Sequence, residues 1–312
     1  EPPAAPAIHS ERTYTIMDLV IRNARLDKTG APVEVGIENG IITAVAAGGL
    51  PAAAAEIDAE GAMVSPALVE THFHLENALI WEGALNHSGT LEEAIAVYAA
   101  IKHDMPIADI VDRASLALRA AIGHGVQWFR SHVDIDRVGQ LRLLAGNVAV
   151  RERFRDAIDL QLIAFPQMGM ARDPEVIDLM WRAMDAGADV VGGMPHAERD
   201  MDDAARHIEI AFEIARAHDA DIDMHIDETD DPAWHSLELL AEQTIANGWQ
   251  GRVTAGHCCA MSAWDDALAE RVIAKVAEAR LNVITIAPIN LMLQGRADKH
   301  PKRRGIARVK EL

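Results

Sequence analysis

Two histidines two residues apart, His72 and His74, carry the first chemical signal in this chain. They end a mostly apolar segment, residues 63–74. In a β-strand, residues i and i+2 point to the same face, so both imidazoles would project together. Neutral imidazole is a common ligand for zinc and similar divalent metals. The spacing therefore predicts two metal ligands, although two solvated histidines at a strand end would give the same pattern.

Two further histidines end apolar segments of the same kind. His225 closes the segment 221–226, with Glu228 three residues further on, and His257 closes the segment 252–257. A nitrogen ligand beside a carboxylic acid is the combination that metal-assisted hydrolysis uses, because the metal acidifies water and the acid carries protons. We expect His72, His74, His225 and His257 to gather at one metal site.

His132 and Gln167 follow two other apolar segments. His132 would hydrogen-bond a metal ligand or the substrate, or bridge neighbouring strands as a structural residue. The Gln167 amide offers a donor and an acceptor and could pair with a ring amide, or it is an ordinary loop residue. The adjacent Cys258 and Cys259 are interpreted as structural residues. Neighbouring cysteines rarely form a structural disulfide, so this pair is consistent with a reducing cytoplasm.

The elements that would hold these residues alternate from about Gly61 onward. Apolar strands are predicted to end near His74, His132, Phe165, Gly193, His225, His257 and Ala287. Helices are predicted at 91–102, 107–122, 174–186, 201–218, 236–247 and 263–279. Strand–helix alternation with a period of about 30 residues indicates a (β/α)₈ TIM-type barrel, whose active site lies at the C-terminal ends of the strands. A doubly wound sheet is disfavoured, since no Gly-rich phosphate loop follows the first strand.

The barrel needs eight strands and the sequence offers seven. Residues 61–312 are expected to form the metal-dependent hydrolase barrel. Because the chain ends on a helical-looking segment, 305–312, we expect the eighth strand and the rest of the C-terminal part of this barrel to be absent. Residues 1–15 are expected to be a leader or disordered tail. Residues 16–60 are expected to form the N-terminal part of a small β-sandwich domain, with strands at 19–21, 34–37 and 41–45 and an Asn-Gly turn before the third.

Charge and hydropathy limit the classes of partner. The formal net charge is −19, which disfavours nucleic acid and anionic membranes because both need a basic face. Half the residues are hydrophobic, as in an ordinary globular enzyme. No apolar stretch reaches the roughly 18 residues that span a bilayer. We expect a cytoplasmic enzyme that acts on a small molecule.

Several segments together resemble the amidohydrolase superfamily, and cytosine deaminase-like enzymes in particular. They are 71–74 (THFH), 225–228 (HIDE), 254–257 (TAGH), 165–167 (FPQ), 86–91 (NHSGTL), 130–134 (RSHVD), 293–296 (LQGR) and 301–305 (PKRRG). The resemblance runs from about Asp18 to the last residue, with the motifs in the same order at the same strand ends. It implies hydrolytic deamination of a cytosine-like cyclic amidine by a mononuclear metal-bound water, with release of ammonia, by a homo-oligomer.

The resemblance also implies a role for each matching residue. His72, His74 and His225 would bind one Fe or Zn ion. Glu228 would shuttle the proton, His257 would stabilise or orient the water, and Gln167 would read the ring amide. His132 is expected to contact the substrate from its place at a strand end alone.

Three alternatives stay open. The substrate could be a related ring, namely isocytosine, 5-methylcytosine, creatinine or an ammelide-type triazine, since Glu76 stands where cytosine deaminases usually have Asp. The family's last metal ligand, an Asp on the eighth strand, has no counterpart here, so the chain could be a catalytically incomplete fragment. A two-metal cyclic amidase is the third alternative, disfavoured because no lysine stands at a strand end.

Overall fold

A computed structural model describes residues 17–80, 84–300, 302–303 and 305–312. The chain divides into two compact units, Glu1–Pro66 and Ala67–Leu312. The expected leader, residues 1–15, lies outside the described residues, as do Pro301 and Arg304 of the segment 301–305. In the described part of the chain, no helix is long and apolar enough to cross a membrane.

The first unit contains a four-stranded sheet in the order β3-β2-β1-β4. Its strands are β1 (Leu19–Ala24), β2 (Val33–Glu38), β3 (Ile41–Ala46) and β4 (Ala55–Asp58). Asn39 and Gly40 connect β2 to β3 with φ angles of 52° and 75°. Both angles are left-handed, which is why an Asn-Gly pair suits this hairpin. The three predicted strands are confirmed, whereas β4, which pairs parallel with β1, was not predicted.

The second unit contains seven parallel strands among the described residues, each paired with its neighbours along the chain. They are β5 (Leu68–Phe73), β6 (Val126–Asp134), β7 (Asp159–Phe165), β8 (Val190–Gly193), β9 (Asp221–Ile226), β10 (Val253–His257) and β11 (Asn282–Ile284). The described β5 and β11 are the two edges of this sheet and do not pair with each other. The sheet is a TIM-type barrel with one open seam, as predicted.

Helices follow the strands along the chain. They are α1 (Leu91–Lys102), α2 (Ile107–Gly123), α3 (Arg142–Phe154), α4 (Pro174–Asp185), α5 (Met201–His218), α6 (Ser236–Asn247), α7 (Asp266–Ala279) and α8 (Ala287–Leu293). Thr90, Asp173, Asp200 and Asp265 each accept a backbone N–H in the first turn of the helix that follows. Such caps satisfy donors that a helix start leaves unpaired, and they explain why α1, α4, α5 and α7 begin where they do.

Three sequence predictions were wrong. The seventh strand ends at Ile284, and Ala287 instead begins α8, because Pro288 in its first turn favours a helix start. Helix α7 begins at Asp266, not Ala263, since the cap Asp265 accepts the Leu268 N–H at 2.8 Å. Residues 305–312 form no helix but only a turn at residues 309–311, and Gly305 at their start has a left-handed φ of 61°. Helix α3 was not predicted.

The core of the second unit lies between the strands and their helices. Leu162 of β7, Val191 of β8, Ile222 of β9 and Phe212 of α5 are all within 1% of full burial and belong to one apolar cluster. Burying each such side chain stabilises the fold by about 1.5–3 kcal/mol. This packing fixes the strands relative to one another and therefore fixes the residues at their C-terminal ends.

Candidate active site

Three predicted metal ligands converge at the C-terminal ends of the strands. His72 lies in β5, His74 follows it, and His225 lies near the end of β9. One ring nitrogen from each residue falls within a set whose atoms are all within 4.8 Å of one another. The Nε2 atoms of His74 and His225 are 3.1 Å apart. The fold thus brings together residues that are about 150 positions apart in sequence, as β5 and β9 are both strands of one barrel.

The chemistry of these rings fits a divalent metal ion. Burial lowers the pKa of His74 to about 4 and holds those of His72 and His225 well below the ordinary value, with the neighbouring histidines adding to the effect. All three rings are therefore neutral at pH 7, the form that binds metal. Two nitrogen atoms that each bind the same zinc ion at about 2.0–2.1 Å lie a little over 3 Å from each other. The 3.1 Å between the Nε2 atoms of His74 and His225 is close to that separation.

His132 lies directly against this set of ligands. It is fully buried in β6, and its ring centroid is 4.3 Å from that of His72 and 4.5 Å from that of His225. Neither ring nitrogen has a hydrogen-bond partner among the described residues. Its Nε2 is 3.5 Å from Oδ1 of Asp223, whose other oxygen accepts a 2.6 Å hydrogen bond from Arg130. His132 is thus close enough to support a ligand or contact a substrate, and its role stays a prediction.

Glu228 and His257 form a buried pair beside the histidine cluster. His257 ends β10, and its ring centroid is 4.8 Å from those of His72 and His225. Its Nδ1 lies 3.0 Å from Oε1 of Glu228. Burial alone would raise the pKa of Glu228, but the charge and hydrogen bond of His257 outweigh it and lower that pKa. An ionised carboxylate in this position is able to accept a proton.

Sequence reasoning missed Asn290, which touches both members of this pair. Its Nδ2 lies 3.1 Å from Oε1 of Glu228 and 3.0 Å from Nδ1 of His257. It lies on α8, where no apolar strand ends, so the rule of polar residues at strand ends gave no signal for it.

His196 was also missed, although the same rule could have found it. It follows β8 by three residues in a short 3-10 helix, Pro195–Ala197. Both ring nitrogens are buried and have no partner in the described parts of the chain. Burial lowers its pKa to about 4 against the opposing charge of Glu228. His196 therefore adds a neutral ring to the same face of the barrel.

Gln167 lies in the loop after β7, two residues beyond Phe165, and is half-buried. Its loop is joined to the loop of His196 by Glu198. Oε1 of Glu198 accepts hydrogen bonds from the backbone N–H groups of Met170 at 2.7 Å and Ala171 at 2.9 Å, and it lies 2.8 Å from Nδ1 of His207. This brace fixes the loop in which Gln167 lies, and the contact of Gln167 with a substrate stays a prediction.

Several known proteins are similar to this chain over most of its length. A protein-family model described as "Amidohydrolase family" matches residues 162–312. The chain is 33% identical over 287 residues to the pterin deaminase of Rhizobium rhizogenes, covering 89% of this chain and 64% of that protein. It is 30% identical over 249 residues to the N-isopropylammelide isopropyl amidohydrolase of Pseudomonas sp. strain ADP, covering 77% and 60%.

A solved structure gives a closer match. The 5-methylcytosine deaminase from Klebsiella pneumoniae, liganded with 5-fluorocytosine, superposes with a TM-score of 0.88 at 38% identity. The match covers 94% of this chain and 71% of that one. By contrast, the chain spans only 60–64% of the length of the two curated relatives.

Proposed function

Because this chain belongs to the amidohydrolase family, we propose that it catalyses the hydrolytic deamination of a cytosine-like cyclic amidine at a mononuclear metal site. The reaction adds water to the amidine carbon, breaks its bond to the exocyclic nitrogen, and yields a ring carbonyl and ammonia. The observation that carries the proposal is the convergence of the His72, His74 and His225 nitrogens within 4.8 Å of one another, beside the buried Glu228–His257 pair.

His72, His74 and His225 would hold one Fe or Zn ion. The bound ion supplies Lewis acidity, which makes water nucleophilic at neutral pH. A single ion is favoured over a pair bridged by a modified lysine. The buried lysine of the described chain, Lys102, is paired with Asp134 and Asp136 and is not free to bridge metals.

Glu228 is assigned the proton transfers. Its carboxylate starts ionised, accepts a proton from the attacking water and delivers it to the ring nitrogen next to the reacting carbon. Nδ1 of His257 lies 3.0 Å from Oε1 of Glu228, and its buried Nε2 has no hydrogen-bond partner among the described residues. That nitrogen would hydrogen-bond the attacking water and orient it.

His132 and Gln167 are assigned to the substrate. The Gln167 amide pairs with adjacent C=O and N–H groups of the ring, and a ring that lacks them would leave the amide unpaired. The relatives are named for 5-methylcytosine, pterin and isopropylammelide, all flat rings rich in nitrogen. Cytosine and 5-methylcytosine are therefore the first substrates we propose, followed by isocytosine, creatinine, pterin and ammelide-type triazines. We further propose a homo-oligomer that binds neither nucleic acid nor membrane.

An ammonia-release assay across these rings tests the proposal. Purified protein loaded with Fe or Zn is compared with the same preparation after chelation and after addition of the metal. We expect one ring to release stoichiometric ammonia, with loss of turnover on chelation and recovery on reloading. Metal-loaded protein that releases no ammonia from any of the rings would overturn the proposed function.

A further inference from the structure

Asn290 is fully buried and forms a three-atom contact with the two residues beside the histidine cluster. Its Nδ2 is 3.1 Å from Oε1 of Glu228 and 3.0 Å from Nδ1 of His257, and those two atoms are themselves 3.0 Å apart. Three polar atoms at such mutual distances satisfy one another only with a definite assignment of protons, since two facing donors or two facing acceptors repel.

That assignment follows from the charge of Glu228. An ionised carboxylate oxygen is an acceptor only, so Oε1 takes a hydrogen from Nδ2 of Asn290 at 3.1 Å, while the second contact of Nδ2, at 3.0 Å, is to Nδ1 of His257. The opposite orientation of the Asn290 amide would place its Oδ1 against the carboxylate oxygen, which is repulsive. The Asn290 amide is therefore held with its Nδ2 toward the carboxylate.

The helix α8 anchors Asn290 to the loop of Glu228 at two points. Gln294, the residue that follows α8, lies four residues after Asn290. Its backbone N–H donates to the Asn290 carbonyl at 2.9 Å, and its Nε2 is 3.5 Å from the main-chain oxygen of Glu228. Gly305 packs so closely on Gln294 that a Cβ at this position would collide with the Gln294 side chain. Asn290 thus approaches Glu228 from a backbone that is itself fixed.

We propose that Asn290 is a positioning residue, which holds the Glu228 carboxylate in place through the hydrogen bond from its Nδ2 to Oε1. This inference rests on the proposed function, because it assigns to Asn290 the control of the group that carries the proton. It acts through Glu228 and His257, and its amide takes no part in the proton transfer.

Asn290→Asp tests the inference most sharply, because it keeps the shape of the side chain and replaces the donor with an acceptor. Two carboxylates at this distance cannot both stay ionised, so one must bind a proton. We expect kcat for the ring that is turned over to fall about 10²-fold, with KM nearly unchanged and the metal content retained. The acid limb of the pH profile of kcat should move to higher pH. Asn290→Leu, which removes the donor without adding a second carboxylate, should lower kcat and move that limb less than Asn290→Asp does.

Asn147→Asp is the matched control. Asn147 is also fully buried and also has an unpartnered Oδ1 among the described residues, but it lies on α3 and donates to the Leu143 carbonyl at 3.0 Å. This variant should lose stability without a change in the pH profile. Equal kcat losses in the two Asp variants, or an unmoved acid limb in Asn290→Asp, would overturn the inference.

A double-mutant cycle tests the same contact without turnover. Urea midpoints are measured for Asn290→Leu, Glu228→Gln and the double variant, and again with Asn147→Leu in place of Asn290→Leu. We expect a non-additive shift for the Asn290 pair and additive shifts for the Asn147 pair. Additive shifts in both cycles would overturn the inference. A wild-type protein that turns over none of the rings would defeat the proposed function, and the cycle would still decide whether Asn290 holds Glu228.

Discussion

Asp227 and Glu228 are neighbouring buried carboxylates with opposite surroundings. Oδ1 of Asp227 accepts hydrogen bonds from the Ser236 hydroxyl at 2.6 Å and the Ser236 N–H at 3.0 Å, while Oδ2 accepts from the Leu237 N–H at 3.1 Å. Its partners are all at the start of α6. Glu228 instead shares its contacts with His257 and Asn290, beside a cluster of histidines whose nitrogens are incompletely paired.

The difference separates residues that hold the fold from residues prepared for a ligand. A buried polar atom without a partner costs free energy, so a group of them in one place calls for an explanation, and a bound ion or substrate supplies one. Counting only partners in the described parts of the chain, the unpartnered atoms on the same face of the barrel as Glu228 include His72 Nδ1, both ring nitrogens of His132 and His196, His225 Nδ1, His257 Nε2 and Asn290 Oδ1. Both carboxylate oxygens of Asp227 have hydrogen-bond partners at the start of α6, so this residue needs no ligand.

Glu228→Gln should give the largest effect and the clearest contrast with Asp227. The amide keeps the shape of the carboxylate but cannot accept and return a proton, so kcat should fall roughly 10²–10⁴-fold. Metal content and the free energy of unfolding should change little. Ammonia release and metal analysis measure both, with Glu270→Gln on the exposed face of α7 as the control. Near-normal turnover would remove Glu228 from the proton-transfer role.

Asp227→Ala should act on stability. The Ser236 and Leu237 N–H groups would be left buried without an acceptor at the start of α6, so the free energy of unfolding should fall by about 2–4 kcal/mol. Urea unfolding measures this loss. Asp200→Ala, which removes a part-buried cap bond to the Asp203 N–H on α5, should lose only about 1 kcal/mol. A loss of kcat in folded Asp227→Ala as large as in Glu228→Gln would break the comparison.

Glu238 is a third carboxylate to set beside Asp227 and Glu228, and it is little exposed and paired with two cations. Its carboxylate receives a two-point contact from Arg271 at 2.9 and 3.0 Å and another from Lys275 at 2.8 Å. The Arg271 hydrogen bond, followed by Lys275, lowers the pKa of Glu238 to about 2. Because the folded pKa lies below the unfolded one, the ionised carboxylate stabilises the protein above about pH 4.3, and the contribution disappears as the pH falls toward 2.

Glu238→Gln should therefore be the smallest of these effects. We expect a loss of about 1 kcal/mol of unfolding free energy at pH 7, which shrinks as the pH falls from about 4.3. Glu209→Gln, in an exposed pair with Arg206, should change stability by a few tenths of a kcal/mol at most. A loss that stays constant between pH 7 and pH 3 would contradict the ionic origin of the stabilisation.

The sequence predicted most of the fold because local patterns were sufficient. The bounds of α1, α5 and α6 were predicted correctly, since apolar periodicity together with polar or turn residues marked their ends. Errors arose where an apolar run continued past a strand. The run 283–287 looks like one strand, and only Pro288 signals that a helix has begun.

The candidate site was predictable to the extent that its residues lie at strand ends. His72, His74, His225 and His257 were expected to gather, and the structure brings them together. His196 obeys the same rule but was overlooked behind the short strand β8. Asn290 could not be found in this way, because its contact with Glu228 depends on how α8 packs over the ends of the strands, and no local pattern encodes that packing.

Metal content in wild type and His72→Ala tests the central claim most directly. Loss of one imidazole removes a third of the proposed histidine ligand set while leaving the apolar core intact. We predict about one Fe or Zn per chain in the wild type, and little metal in a His72→Ala protein that still folds. Two ions per wild-type chain, or undiminished metal in folded His72→Ala, would contradict a mononuclear site built on His72, His74 and His225.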